Sequence, residues 1–194
     1  MVKARARCLI EMRSRLIEII PLTEIAPDAI ATLLDDAFGT DRHTRTAYML
    51  RAGTTVIGGL SFAARDNGKL VGTLQSWPVA LANDDGQFSL TLVGPVAISP
   101  MLQRGGIGRI LMTHMLALAD AGESDAMLMI GDPEYYGRFF GFTADATGGW
   151  ILPGPVERRR LLARISRPGG VPRNGQIIPA PRQGTAGDKA FALI

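Results

Sequence analysis

Apolar residues recur along this chain with two periods, and the switches between them mark its elements. Leu16-Ile17-Glu18-Ile19-Ile20 is a β-branched run stopped by Pro21, which predicts a first strand. From Asp28 to Phe38 the apolar positions Ile30, Leu33, Leu34 and Ala37 fall at helical spacing, and Gly39 ends the pattern. Thr40 to Arg51 mixes charge with Tyr48, Met49 and Leu50 and predicts a second helix. Leu60 to Ala64, the turn Asp66-Asn67-Gly68 and Leu70 to Trp77 together predict a hairpin. Phe88 to Ile98 is the longest strand candidate. Gly94-Pro95 interrupts it, and because proline cannot donate to a ladder, a bulge or a break is expected there.

The helical period returns from Gly106 to Ala121, with a stripe of Ile107, Ile110, Leu111, Met115, Leu118 and Ala119. Ala126 to Ile130 is apolar throughout, as strands buried within a sheet are. Asp132-Pro133 opens another helix, to about Phe139, with an N-cap followed by proline in the first turn. Trp150 to Leu152 and Arg160 to Ala163 predict closing strands. This order predicts one mixed α/β domain over 15–165. A basic extension, 1–14, precedes it, of which residues 1–12 read as dispensable. A Pro/Gly-rich tail, 166–194, is expected to pack on the domain or trail from it.

Composition removes several classes of function. No run of 18 apolar residues is available for a membrane span. One cysteine and two histidines exclude an internal disulfide and a Cys/His zinc site. A reducing, cytoplasmic setting is the resulting expectation, with no metal cofactor and no membrane partner. The net charge of +3 is unevenly placed. Residues 1–15 hold five basic residues against one acid, and 156–194 hold eight against two; the body between them holds eight against fifteen. The basic excess lies in flanks that lack interleaved aromatics, so nucleic acid is not an expected partner. An acidic body would suit a cationic amine, which Asp35, Asp36 and Asp41 could recognise, although a solvated helix face is the better reading of those three.

The most informative segment joins the longest strand to the long helix: Gln103-Arg104-Gly105-Gly106-Ile107-Gly108-Arg109. Glycines leading into a helix N-terminus make a phosphate site, where free amides and the helix dipole meet an anion that the backbone lets approach. The P-loop and dinucleotide fingerprints do not fit, but Gln-x-x-Gly-x-Gly does, on Gln103, Gly106 and Gly108. Here the chain resembles the GNAT superfamily of acetyl-CoA-dependent N-acyltransferases, in which this motif is the pyrophosphate turn. Gly131 to Phe142, a tyrosine-bearing helix ending in Gly141-Phe142, looks like the second landmark of that family. Ala37-Phe38-Gly39, Leu60-Ser61-Phe62, Trp77-Pro78-Val79 and Leu152 to Val156 are similar to its YhbS-like bacterial branch.

The resemblance implies a strongly twisted central sheet flanked by helices, with the fourth and fifth strands splayed. It implies acetyl-CoA as co-substrate and acetyl transfer by direct attack to a primary amine, on a small molecule or a peptide. Backbone groups of Val96, Ala97 and Ile98 would hold the pantetheine arm, and Gln103, Arg104, Gly105, Gly106, Ile107, Gly108 and Arg109 the pyrophosphate. The proton donor to the leaving thiolate would be Tyr136, with Tyr135 second. Tyr136 to Gly141 is one residue longer than the family spacing, and a local bulge near Phe139-Phe140 is expected to absorb it. Phe88 to Ile98 contains no acid, which leaves the general base open among an ordered water, a backbone carbonyl relay, Glu134 and His43. A catalytically weak acyl-CoA sensor or partner-binding module of the same fold is the alternative, and relatives of this type admit a homodimer.

Overall fold

Isoleucines on alternating faces of one strand tie the two sides of the sheet together. The computed structural model describes residues 8–12, 15–122, 126–166 and 169–180. In strand β2 (Arg15–Pro21), Ile17 and Ile19 are buried on one face and Ile20 on the other. Helix α3 (Ile107–Ala121) covers the first face with Leu111, Met112 and Met115. Helix α1 (Pro27–Phe38) covers the second with Ile30, Leu33 and Leu34. A third apolar cluster, around Trp77, Leu92, Leu128, Trp150 and Ile177, fills the far end of the sheet.

The remaining strands are β1 (Cys8–Met12), β3 (Phe62–Asp66), β4 (Lys69–Asn83), β5 (Gly86–Ile98), β6 (Ala126–Ile130), β7 (Gly149–Ile151), β8 (Leu161–Ile165) and β9 (Asn174–Pro179). The sheet runs β1-β2-β3-β4-β5-β6-β8, with β9 beside β4 and β7 beside β9. It is mostly antiparallel; only β5–β6 and β7–β9 are parallel. Helices therefore flank a large mixed sheet, as the resemblance implied. Among the described residues no helix is long and apolar enough to cross a membrane.

Several elements depart from the sequence pattern for local reasons. The expected helix over 40–51 is a 3-10 turn (Thr40–Thr44) and the short α2 (Thr46–Met49), with Arg45 extended between them. Threonine hydroxyls hold this break: Thr44 bonds the Asp41 carbonyl at 2.9 Å, and Thr46 bonds that of Pro155 at 2.6 Å. β4 continues through Pro78, where the sequence pattern stopped at Trp77. The Pro78 carbonyl accepts from the Ala180 amide at 3.3 Å, so its missing donor faces the β9 side and the ladder to β5 is intact. Cys8–Met12 pairs with β2, and Asn174–Pro179 joins the sheet as β9, so both flanks contribute strands.

Candidate active site

The interruption at Gly94-Pro95 shapes the centre of the molecule. Ser76 pairs with Val93 and Leu74 with Val96, so Gly94 and Pro95 together oppose Gln75: a β-bulge, where proline predicted one. β5 and β6 pair only at Thr91–Met127 and Leu92–Leu128. Beyond that point the two strands part; they are the fourth and fifth strands of the sequence pattern, which did not count β1. A cavity of about 590 Å³ opens there, between Gly94–Val96 of β5, Met129–Asp132 at the end of β6 and just beyond it, and the loop carrying Arg42 to Arg51.

Helix α4 (Pro133–Phe140) brings Tyr136 to this cavity. Asp132 caps it by accepting the Glu134 amide at 3.0 Å, and Gly141, at φ 72°, closes it. The helix is unbroken, so the longer Tyr136–Gly141 spacing is absorbed by an ordinary helical turn rather than the expected bulge. One edge of the Tyr136 ring lies against Gly131, where a Cβ would stand 2.6–2.7 Å from its Cδ2 and Cε2; glycine allows this approach. Burial pushes the Tyr136 phenol up to about 12; Tyr135 and Asp132 add to the rise and Arg160 opposes it. Tyr135 instead sits outside the cavity lining, 37% exposed, edge-on to Tyr136 at 5.0 Å and against Phe139 at 5.3 Å.

The glycine-rich turn lies at the other end of β5. Pro100–Gly105 form a 3-10 turn, and Gly106 stands at φ 79°, a left-handed conformation costly for any residue with a Cβ. Its carbonyl takes both the Arg109 and Ile110 amides, at 3.0 and 3.2 Å. Ile107 and Gly108 open α3, so their amides have no acceptor one turn back within the helix and are directed out of its N-terminus. The Ile107 side chain is core; Gln103, Gly105, Gly106 and Arg109 are exposed, and the Arg109 guanidinium lies 4.9 Å from the Phe139 ring centre. The backbone of Arg104 belongs to the same turn. Gly108 faces the side chains of Ile98 and Val96, at 3.6–3.8 Å from where a Cβ would stand. Val96 also lines the cavity, so the residues expected at the cofactor run from the cavity mouth to the helix N-terminus. Ala97 turns its side chain into the α1 face of the core, leaving its backbone alone for contact.

The acidic acceptor site suggested by composition is not what the chain builds. Asp35 is bound to Arg42 at 2.7 Å, and Asp41 stands 3.9 Å from Arg45. Arg42, Arg45, Arg51 and Arg160 line the cavity, against the carboxylates of Asp132 and Glu157. Arg42 is buried, bonded to Asp35 and to the Tyr48 hydroxyl. Arg51 is 9% exposed, its guanidinium 4.3 Å from the Tyr48 ring centre and 5.3 Å from that of Trp77. Burial lowers its pKa to about 10, with Tyr48 opposing the fall and Arg42 adding to it. Glu134 pairs with Arg159 at 3.0 Å outside the cavity lining, and exposed His43 stacks on Tyr48 at 4.8 Å, also outside it. Neither candidate base reaches the wall. Loop arginines alone gave no sign of this lining; the one local clue was Tyr48, three residues before Arg51. Among the described residues no three His, Cys, Asp or Glu side chains cluster as a metal ion would need.

The profile of the acetyltransferase (GNAT) domain matches residues 18–144. No curated protein gives a significant match. A GNAT family acetyltransferase from Brucella melitensis, solved with acetyl-CoA, is 21% identical, with 84% of this chain and 96% of that one covered and a TM-score of 0.61. The GNAT family N-acetyltransferase YhbS from Escherichia coli, solved with CoA, is 23% identical, with 88% and 92% covered and a TM-score of 0.64. At such identities the likeness to these two is one of fold, and it agrees with the profile. The parted strands, the glycine-led helix and the tyrosine helix all fall within the matched residues, and the chain belongs to the GNAT acetyltransferase domain family.

Proposed function

We propose that this protein transfers the acetyl group of acetyl-CoA to a primary amine by direct attack, within a domain over 15–165 whose sheet is extended by β1 and β9. One observation carries the reading: the cavity opens where β5 leaves β6, and β5 leads from it directly to the helix N-terminus. On the β6 side, the backbone of Val96 to Ile98 offers an edge for the pantetheine arm. The turn from Gln103 to Arg109 takes the pyrophosphate on the Ile107 and Gly108 amides. The structures of relatives with acetyl-CoA and CoA support this assignment.

In the reaction the neutral amine nitrogen attacks the thioester carbon, the C–S bond breaks, and an amide and a thiol result. A β5 amide beside the bulge stabilises the developing oxyanion. Tyr136, kept neutral by burial, donates a hydrogen bond to the departing sulfur. A phenol at about 12 is a weaker acid than a thiol near 8.5, so Tyr136 does not keep the thiolate protonated by itself. The proton finally held by the thiol is the one that the amine nitrogen loses as the amide forms. Of the two wall carboxylates, Asp132 caps α4 and Glu157 is paired with Arg159 at 2.5 Å; the oxygen of Glu157 outside that pair collects the proton through water.

Calorimetric titration with acetyl-CoA, followed by CoA release across a panel of amines, tests the reading. Binding with turnover supports it. Binding without turnover of any amine favours the acyl-CoA sensor, which the absence of an acid in β5 also suits. A folded protein that does not bind acetyl-CoA refutes both.

A further inference from the structure

Burying a guanidinium without a counter-charge is costly, and the cost is met only where something answers the charge. Arg42 has Asp35. For Arg51, among the described residues, no carboxylate is paired with it, and its Nε has no hydrogen-bond partner despite being fully enclosed. The positive charge of Arg42 lies nearby and worsens its position. Tyr48 and Trp77 stack on it, and cation–π contact of that kind offsets only part of the cost. Nε is enclosed and Tyr48 also interacts with the guanidinium through its hydroxyl, so what remains for a ligand is the pair of terminal amino groups of Arg51, which lines the same cavity as Tyr136. A planar fork of donors held by aromatic rings is the arrangement that recognises an oxyanion through two parallel hydrogen bonds.

We propose that the amine acetylated by this protein also carries an anionic group, a carboxylate or a phosphate, and that Arg51 binds it. This rests on the acetyl-transfer reading. The acceptor then enters as a zwitterion: its anion is held on the Arg51 side of the cavity and its amine is presented on the side of Gly94–Val96 and Tyr136. Arg51 is a specificity-determining residue in this arrangement, and simple cationic amines are poor acceptors because nothing answers its charge when they bind.

Trp77 lies against Arg51 and reports on occupancy by its fluorescence. The protein is saturated with CoA, so that the glycine turn is filled, and titrated separately with acetate, inorganic phosphate and acetamide. A saturable change with acetate or phosphate, none with acetamide, and a weakening of about tenfold or more in Arg51→Met are expected. Preference for acetate assigns an amino-acid-like acceptor, and preference for phosphate assigns a phosphomonoester amine. Acetamide acting as well as acetate, no response to either anion in protein that binds CoA, or an unaltered response in Arg51→Met overturns the proposal and leaves acetyl transfer standing. The wild-type comparison of acetate with acetamide decides the matter even where Arg51→Met does not fold. Failure to bind CoA at the outset brings down the acetyl-transfer reading itself.

Discussion

Replacing Gly108 by glutamate separates cofactor binding from folding. Gly108 is the second residue of α3, and a Cβ there meets only Ile98 and Val96 side-chain atoms at 3.6–3.8 Å, ordinary contact distances. Its φ is not in the left-handed region, unlike that of Gly106 at 79°, where any substitution costs about 1–2 kcal/mol of backbone strain. Gly108→Glu is therefore tolerated, and a first-turn carboxylate favours the helix by about 0.3–1 kcal/mol. The same carboxylate stands where the Ile107 and Gly108 amides would receive pyrophosphate. Losing two charge-assisted hydrogen bonds at about 1.5 kcal/mol or more each removes about 3 kcal/mol, roughly a hundredfold or more in Kd. Calorimetry with acetyl-CoA and a thermal melt of the same preparation measure both effects. The expected result is an unchanged or higher Tm with binding lost. Acetyl-CoA affinity within threefold of the wild type refutes the assignment of this turn to the pyrophosphate.

Tyr136→Phe should lower kcat by about a hundredfold with little change in KM, read by CoA release, while Tyr135→Phe keeps most of the rate; the reverse order would move the donor to Tyr135. The Tyr136 phenol also makes stability depend on alkali. Its pKa is 10.0 as a free tyrosine and about 12 when folded, so the unfolded chain loses its proton first and stability falls as pH rises from 10 to 12, by about 3 kcal/mol in all. Urea unfolding of the wild type and Tyr136→Phe at pH 8 and pH 11 checks this, because the variant should lack that part of the alkaline loss. His114, edge-on to Phe62 at 4.7 Å, is held neutral by burial, with its pKa lowered and its Nε2 unpartnered. The unfolded chain takes up that proton first as pH falls below about 6.5, so stability drops on the acid side. His114→Phe should reduce the drop in urea titrations between pH 7 and pH 5, and an unchanged acid profile would refute the role.

Most of the framework was legible because it rests on local patterns. The stripe of α3, the apolar run of β6 and the Asp132-Pro133 start of α4 each state their structure within a few residues. The bulge at Gly94-Pro95 was legible because a missing donor has to be accommodated somewhere. The strand β9 was not. Asn174–Pro179 has only Ile177 and Ile178 as apolar residues, and it becomes a strand because β3 covers the first half of β4 and leaves the edge of the second half opposite β5 open. The character of the cavity wall was hidden for a similar reason. Overall charge pointed to an acidic body, but Arg51 is buried by Trp77, a residue far along the chain on another element, and Asp35 is turned away to serve Arg42. Net charge reports on the surface as a whole, whereas a site depends on which few charges point inward.

The pairing of β9 with β4 also sets an order of events during synthesis. Val79 finds its partner in Pro179, about a hundred residues later in the chain. Translation delivers β4 long before β9, so for much of that interval the second half of β4 has β5 on one side and bare amides and carbonyls on the other. Those residues include Val79, Ala80 and Leu81, an apolar stretch that a second nascent chain could pair with. A chain that has emerged through β8 but not β9 would thus display β5 and β6 in place and one adhesive edge. Chaperone contact is expected to concentrate there until residues 174–179 emerge and close it.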